Sequence, residues 1–253
     1  MLSSSDYLRR IAYSGPTDPS ADTLKQLHRA HLFHVPFENL DIGLKRPIVC
    51  DQSRFVEKIV NEKRGGFCYE MNGAFAWLLT ELGFKVSFLS ARVGRADGSL
   101  GPEFDHLALR VDLDQPWLAD VGFGESFMDP LRLEPGMEQA QDNGVFRILK
   151  VDTTWTVERK GPHPDWKTEY AFTMLPRRLE DFSQMCHYHQ TSPDSHFTQN
   201  KVCTLATADG RTTLTPDKLI ITSNGNREER KVETEEEWVN TLKSRFGVVL
   251  PRK

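Results

Sequence analysis

The hydrophobic spacing of this chain changes at Gly83-Phe84, and that change limits it to folds that keep a helical part apart from a sheet. Before Gly83, apolar residues recur at helical intervals in three stripes: Leu24, Leu27 and Ala30 with His31; Phe55, Val56, Ile59 and Val60; then Met71, Phe75, Leu78, Leu79 and Leu82. Ser20 or Asp22 can cap the first stripe and Asp51 the second, whereas Gly65-Gly66 stops the second and Gly83 ends the third. After Phe84 the interval falls to two. Residues 85–93 and 106–113 alternate as strands, a short strand at 117–121 follows the turn Asp114-Gln115-Pro116, and further strands are expected at 145–151, 155–159 and 168–175. Three short helices make a small bundle, and the β-rich middle has enough strands to curl into a barrel. Beyond Pro176 the pattern mixes. A helix carries Leu179, Phe182, Met185 and Cys186, strands fall at 201–205 and 218–222, and Thr234-Glu235-Glu236-Glu237 reads as a capping box opening a helix with Trp238, Leu242 and Phe246 inward. The fold class is therefore α+β, with parts at 1–83, 84–176 and 177–253 packed together rather than joined by linkers.

With 253 residues, 38% of them hydrophobic and 27% charged, the chain can bury a sizeable core. A net charge of −4 gives no footprint for nucleic acid, and no apolar run approaches the ~20 residues of a membrane span. The start, Met1-Leu2-Ser3-Ser4-Ser5-Asp6, lacks the basic and apolar regions of a secretory leader, so a cytoplasmic location is expected. Cys50, Cys68, Cys186 and Cys203 have no metal-ligand spacing and are expected to be free thiols. His28, His31 and His34 repeat at three-residue intervals with no carboxylate or cysteine to complete a metal set; a helix edge facing polar neighbours accounts for them.

Cys68 is the cysteine with a distinctive setting. It follows Arg64-Gly65-Gly66-Phe67 and opens the third helical stripe, so the thiol sits in a first turn. Glycines permit backbone angles closed to other residues, and unpaired N–H groups with the helix dipole favour a thiolate. A nucleophilic cysteine needs a base and a group to orient it. His106, at a loop-to-strand junction and on the polar side of its strand, is the candidate base. Asp105 and Asp120 are the candidate orienters. Asp105 leaves from the opposite strand face, whereas Asp120 shares the His106 face in a hairpin pairing 110 with 120, although four residues of offset put it roughly 13 Å away.

The segments Val35-Pro36-Phe37-Glu38-Asn39-Leu40, Arg64-Gly65-Gly66-Phe67-Cys68, His106-Leu107 and Asp120-Val121-Gly122-Phe123-Gly124 together resemble the arylamine N-acetyltransferases. So do Pro176-Arg177-Arg178-Leu179-Glu180-Asp181-Phe182, Thr191-Ser192-Pro193 and Phe197-Thr198. The resemblance implies a helical bundle, a β-barrel and an α/β lid, with a cysteine-protease-like Cys-His-Asp triad at Cys68, His106 and Asp120. It implies an acyltransferase of xenobiotic metabolism that takes acetyl from acetyl-CoA onto arylamines, arylhydrazines or arylhydroxylamines, with no permanently bound cofactor or metal and no nucleic-acid or membrane partner. Phe37, Val93 and Phe123 match acceptor-pocket positions, Phe197 a lid position near the CoA side, and Gly122 and Gly124 leave room for a pantetheine arm. Glu38 and Arg64 are expected to form a buried structural pair under the cysteine turn. Backbone N–H groups at the start of the Cys68 helix are the expected oxyanion donors.

Overall fold

The computed structural model describes residues 2–161 and 165–250. Its first part is helical: α1 Ser4–Arg10, α2 Ala21–His34, a short strand β1 Phe37–Glu38, a single turn α3 Leu40–Gly43, α4 Gln52–Val60 and α5 Cys68–Glu81. Ser20 caps α2 by accepting the Thr23 N–H, and Asp51 caps α4 by accepting those of Ser53 and Arg54. α1 is an addition to the sequence reading, opened by a reciprocal box in which Ser3 and Asp6 each accept the other's backbone N–H. The inward faces of these helices, with Leu24, Leu27, Phe55, Ile59, Phe75 and Leu78, form one core that extends to Leu107, Leu109 and Val111 of the neighbouring sheet.

The sheet contains β2 Lys85–Val93, β3 His106–Asp112, β4 Pro116–Ala119, β5 Leu131–Arg132, β6 Glu138–Gln141, β7 Gly144–Val151, β8 Thr154–Lys160 and β9 Trp166–Arg177. The order β5-β4-β3-β2-β9-β8-β7-β6 is antiparallel throughout. Its two edges meet across Gln139, whose amide accepts the Arg132 N–H at 2.8 Å and donates to the Arg132 carbonyl at 3.1 Å. A nearly closed barrel results, filled by Leu89, Leu118, Phe127, Phe146, Ile148 and Tyr170.

The last part begins with a 3-10 turn, Leu179–Phe182, that leads into α6 Ser183–Thr191 and α7 His196–Gln199. The strands β10 Cys203–Thr207, β11 Gly210–Leu214, β12 Lys218–Ser223 and β13 Asn226–Lys231 follow, then α8 Glu235–Phe246. β1 pairs with β10, so a strand from the helical region joins this second sheet. Thr234 caps α8 by accepting the Glu237 N–H at 3.1 Å, but the Glu237 carboxylate accepts from Glu233, so the expected box is made on one side only. Gly247 ends α8 in the left-handed region, φ +67°.

Candidate active site

Cys68 is the first residue of α5, and the two glycines before it are required for a reason other than the one expected. Neither takes a positive φ. A Cβ at Gly65 would lie 1.7 Å from the Pro36 carbonyl oxygen, and one at Gly66 would lie 2.5 Å from the Glu70 side chain. The turn is thus glycine-bound because the 35–38 segment passes directly over Gly65 and the Glu70 side chain lies against Gly66, with Glu38 N–H donating to the Gly66 carbonyl at 2.9 Å.

Beneath the turn lies a buried ion cluster. Arg64 bonds Glu38 at 2.7 Å and Asp41 at 3.0 Å, while Lys58 bonds Asp41 at 2.9 Å and Glu70 at 2.7 Å. The expected Glu38–Arg64 pair is therefore one edge of a five-residue network. Glu70 fixes the helix start directly, because its other oxygen accepts the Phe67 N–H at 3.1 Å. That N–H is consequently taken and is not free for an oxyanion. With three carboxylates facing two cations, burial pushes the Glu70 carboxyl up to about 7 despite Lys58.

His106 opens β3 and Asp120 lies just past the end of β4. The hairpin register differs from the sequence reading: Asp112 pairs with Pro116 and Arg110 with Leu118, so the loop is 113–115 and Pro116 belongs to the strand. The shift shortens the offset between His106 and Asp120 from four residues to two while keeping both on one face. His106 Nε2 and Asp120 Oδ2 are 2.6 Å apart. The other Asp120 oxygen accepts from Asn72 Nδ2 at 2.8 Å and the Gly122 N–H at 2.9 Å. Burial works against the Asp120 charge, but His106, Asn72 and Gly122 outweigh it and hold the carboxyl below its ordinary range. Asp105, the other candidate, faces His189 Nε2 on α6 at 3.1 Å.

The thiol stands differently from the first expectation. Cys68, His106 and Asp120 are each 3% exposed or less. Burial pushes the Cys68 thiol well up, and the N–H groups of Leu107 and Tyr69 directed at the sulfur offset it only in part. The first-turn dipole that favours a thiolate is thus outweighed by loss of water. Leu107, the residue after His106, shares one buried core with Cys68, and α5 packs on the strand that carries the imidazole.

Three residues that the sequence reading did not assign to the site complete the arrangement. Asn72, one helical turn after Cys68, donates to Asp120 and to the Leu107 carbonyl at 2.6 Å and accepts the Val121 N–H at 2.9 Å. Its i+4 spacing from Cys68 was the readable signal. His28 is fully buried, which corrects the expectation of a polar helix edge. Its Nδ1 donates to the Met128 carbonyl at 2.8 Å and its Nε2 accepts the Asp120 N–H at 3.1 Å, and burial keeps it neutral. Tyr170 lies 5.2 Å from both the His106 and Phe123 rings. His31 is buried as well, against Tyr7.

Among the residues matched to substrate positions, the Phe123 ring stands edge-on to His106 at 5.1 Å. Phe37 and Phe197 face each other at 6.3 Å, Gly124 has φ +93° with Phe37 as its nearest neighbour, and Val93 is paired with Tyr170 across β2 and β9. The place of a Gly122 side chain is filled: a Cβ there would lie 2.8 Å from Cys68 Cα and 2.7 Å from Asn72 Nδ2.

A buried thiol at the start of a helix that packs on the strand of an Asp-held histidine is an arrangement suited to cysteine-dependent transfer or hydrolysis. The N-acetyltransferase family profile matches residues 20–253. A pineal-gland isozyme of arylamine N-acetyltransferase from Gallus gallus is 34% identical over 98% of this chain and 94% of its own length. Among solved structures, the arylamine N-acetyltransferase of Salmonella typhimurium superposes with a TM-score of 0.91 at 31% identity, covering 97% of this chain and 90% of that one. The Mycobacterium marinum enzyme in complex with CoA superposes at 0.88 with 32% identity, covering 96% and 92%. The chain belongs to the arylamine N-acetyltransferase family, whose members are acyltransferases.

Proposed function

We propose that this enzyme carries acetyl from acetyl-CoA to an arylamine, arylhydrazine or arylhydroxylamine by ping-pong chemistry through an acetyl-cysteine on Cys68. His106 is the base and Asp120 the group that orients it. The observation that supports this most is the 2.6 Å bond from His106 to Asp120, whose other oxygen accepts from Asn72, one helical turn after Cys68. With Asp120 held ionised, His106 Nε2 carries the proton of that bond, which leaves Nδ1 as the basic nitrogen. The Cys68 proton passes to His106, and the thiolate attacks the thioester carbonyl of acetyl-CoA. A bond forms from Cys68 Sγ to the acetyl carbon, the bond to CoA sulfur breaks, and CoA leaves with the proton from His106. The amine then attacks the acetyl-cysteine, gives its proton to His106, and releases the Cys68 thiol.

Burial of the three side chains supports transfer over hydrolysis, because an acetyl group on Cys68 is kept from bulk water. Phe37, Val93, Phe123 and Phe197 supply the apolar walls of the acceptor slot, and Gly124 leaves the backbone open to the pantetheine arm. Gly122 serves the close approach of the segment after β4 to α5. The division into a bundle at 1–83, a barrel at 84–176 and an α/β lid at 177–253 belongs to the same reading, supported by a sheet that runs from Lys85 to Arg177. So does a cytoplasmic enzyme of small molecules without nucleic-acid or membrane partners, supported by a net charge of −4 and, among the described residues, no helix long and apolar enough to cross a membrane. Initial rates over a panel of arylamines and hydrazines test it. Parallel double-reciprocal lines and loss of turnover in Cys68→Ala are expected; intersecting lines, or an active Cys68→Ala, contradict it.

A further inference from the structure

The mechanism uses one cysteine of four, and two of the others meet. Cys50 is half-buried in the irregular segment between α3 and α4, and Cys186 is buried on α6. Each is among the neighbours that act most on the other's thiol, and Ser183 acts on Cys50 as well. Gln190, one turn beyond Cys186, holds the two segments in register. Its Oε1 accepts the Ile48 N–H at 2.7 Å, and its Nε2 donates to the Ile48 carbonyl at 2.9 Å and to Cys186 Sγ at 3.3 Å. Cys186 Sγ itself lies 3.7 Å from the Ile48 carbonyl. A surface cavity of about 440 Å³ is lined by Ile48, Val49 and Ser53, on either side of Cys50 in the chain.

We propose that Cys50 and Cys186 form a redox-modification site, a dithiol that a hydroperoxide converts into an intramolecular disulfide. Cys50 is the attacking thiol. It is the more exposed of the two, and the neighbouring Cys186 and Ser183 hold its thiol below the ordinary range, while the neighbouring Cys50 sulfur and burial push Cys186 up. The Cys50 thiolate attacks one peroxide oxygen, the O–O bond breaks, and a water or alcohol leaves with the thiol proton. The Cys186 sulfur then attacks the Cys50 sulfenic acid, forming the S–S bond and expelling the second oxygen as water. Two electrons leave the thiol pair and reduce one peroxide. The S–S bond of ~2.05 Å forms between side chains on two segments that Gln190 already ties together. The product ties the segment before α4 to α6, whose His189 and adjoining Phe182 pack on Tyr69, the residue after Cys68.

The test treats the whole protein with increasing hydrogen peroxide, alkylates it in denaturant without reduction, and maps the peptides. The expected result is one peptide joining Cys50 to Cys186, labels lost from both positions together, a monomer on a non-reducing gel, and reversal by dithiothreitol. In Cys50→Ser the joined peptide disappears and Cys186 keeps its label; its far-UV spectrum and acetylation rate check that it has folded. A Cys50 sulfinate with Cys186 still labelled overturns the proposal, as does a cross-link to another cysteine or no joined peptide at peroxide levels that oxidise Cys68.

Discussion

Asp120 holds a charge where almost no water reaches it, and three donors stand in for that water: His106, Asn72 and the Gly122 N–H. Hydrogen bonds to ionised groups contribute about 1.5–3 kcal/mol each. Asn72→Ala removes one of them and also orphans the Val121 N–H. Steady-state kinetics are expected to show kcat/KM lower by about 10- to 100-fold, with the protein still folded; an unchanged value means that Asn72 does not position the carboxylate. Gly122→Ala puts a Cβ 2.8 Å from Cys68 Cα, a contact that backbone cannot relieve cheaply. Thermal melting and activity should fall together, and a variant with normal melting and rate is incompatible with that packing. His106 and Asp120 were readable from strand face and parity, but their distance was not, because Pro116 sits inside the strand rather than in the turn. His28 gave no signal, since nothing local distinguishes a histidine bonded to a distant backbone from one on a polar helix edge.

At the scale of elements, the start of α5 decides where the thiol goes, and the ion cluster holds that start in place. Lys58→Met leaves three buried carboxylates with Arg64 as their one close buried cation among the described residues, and breaking such a set typically costs about 3–5 kcal/mol. Urea unfolding at neutral pH should show a loss of that size; a loss below about 1 kcal/mol fits a surface pair instead. Glu70 adds a pH dependence. Its folded-state pKa of about 7 lies above its ordinary value of 4.5, so the folded protein holds the extra proton between these limits. Its stabilising contribution is complete below pH 4.5 and is lost as pH rises to about 7. Glu70→Gln should therefore melt with a flatter pH profile than the parent between pH 5 and 8, and an equally steep profile assigns the slope to another group. The sequence showed Glu38 and Arg64 as a pair but not Lys58, Asp41 and Glu70, which come together only when α3, α4 and α5 pack. Strong periodicity made α2, α4, α5, β2 and β3 legible, whereas β13 is missed because all six of its residues are exposed and show no alternation.

Over the whole molecule, the proposed mechanism takes its sulfur from the helical part and its imidazole and carboxylate from the sheet, and therefore depends on their packing through Leu107, Leu109 and Val111. The change of hydrophobic period at Gly83 made the passage from helices to strands readable, since α5 ends at Glu81 and β2 begins at Lys85. The joining of β1 to β10 was not, since a two-residue strand has no period to detect. The central claim is that acetyl rests on Cys68 between donor and acceptor. Intact-mass spectrometry after mixing with acetyl-CoA alone is expected to show an added mass of about 42 Da, one acetyl group for one proton, that peptide mapping places on Cys68 and an arylamine then removes. Release of acetylated amine with no adduct, or an adduct on another residue that the amine discharges, contradicts the account.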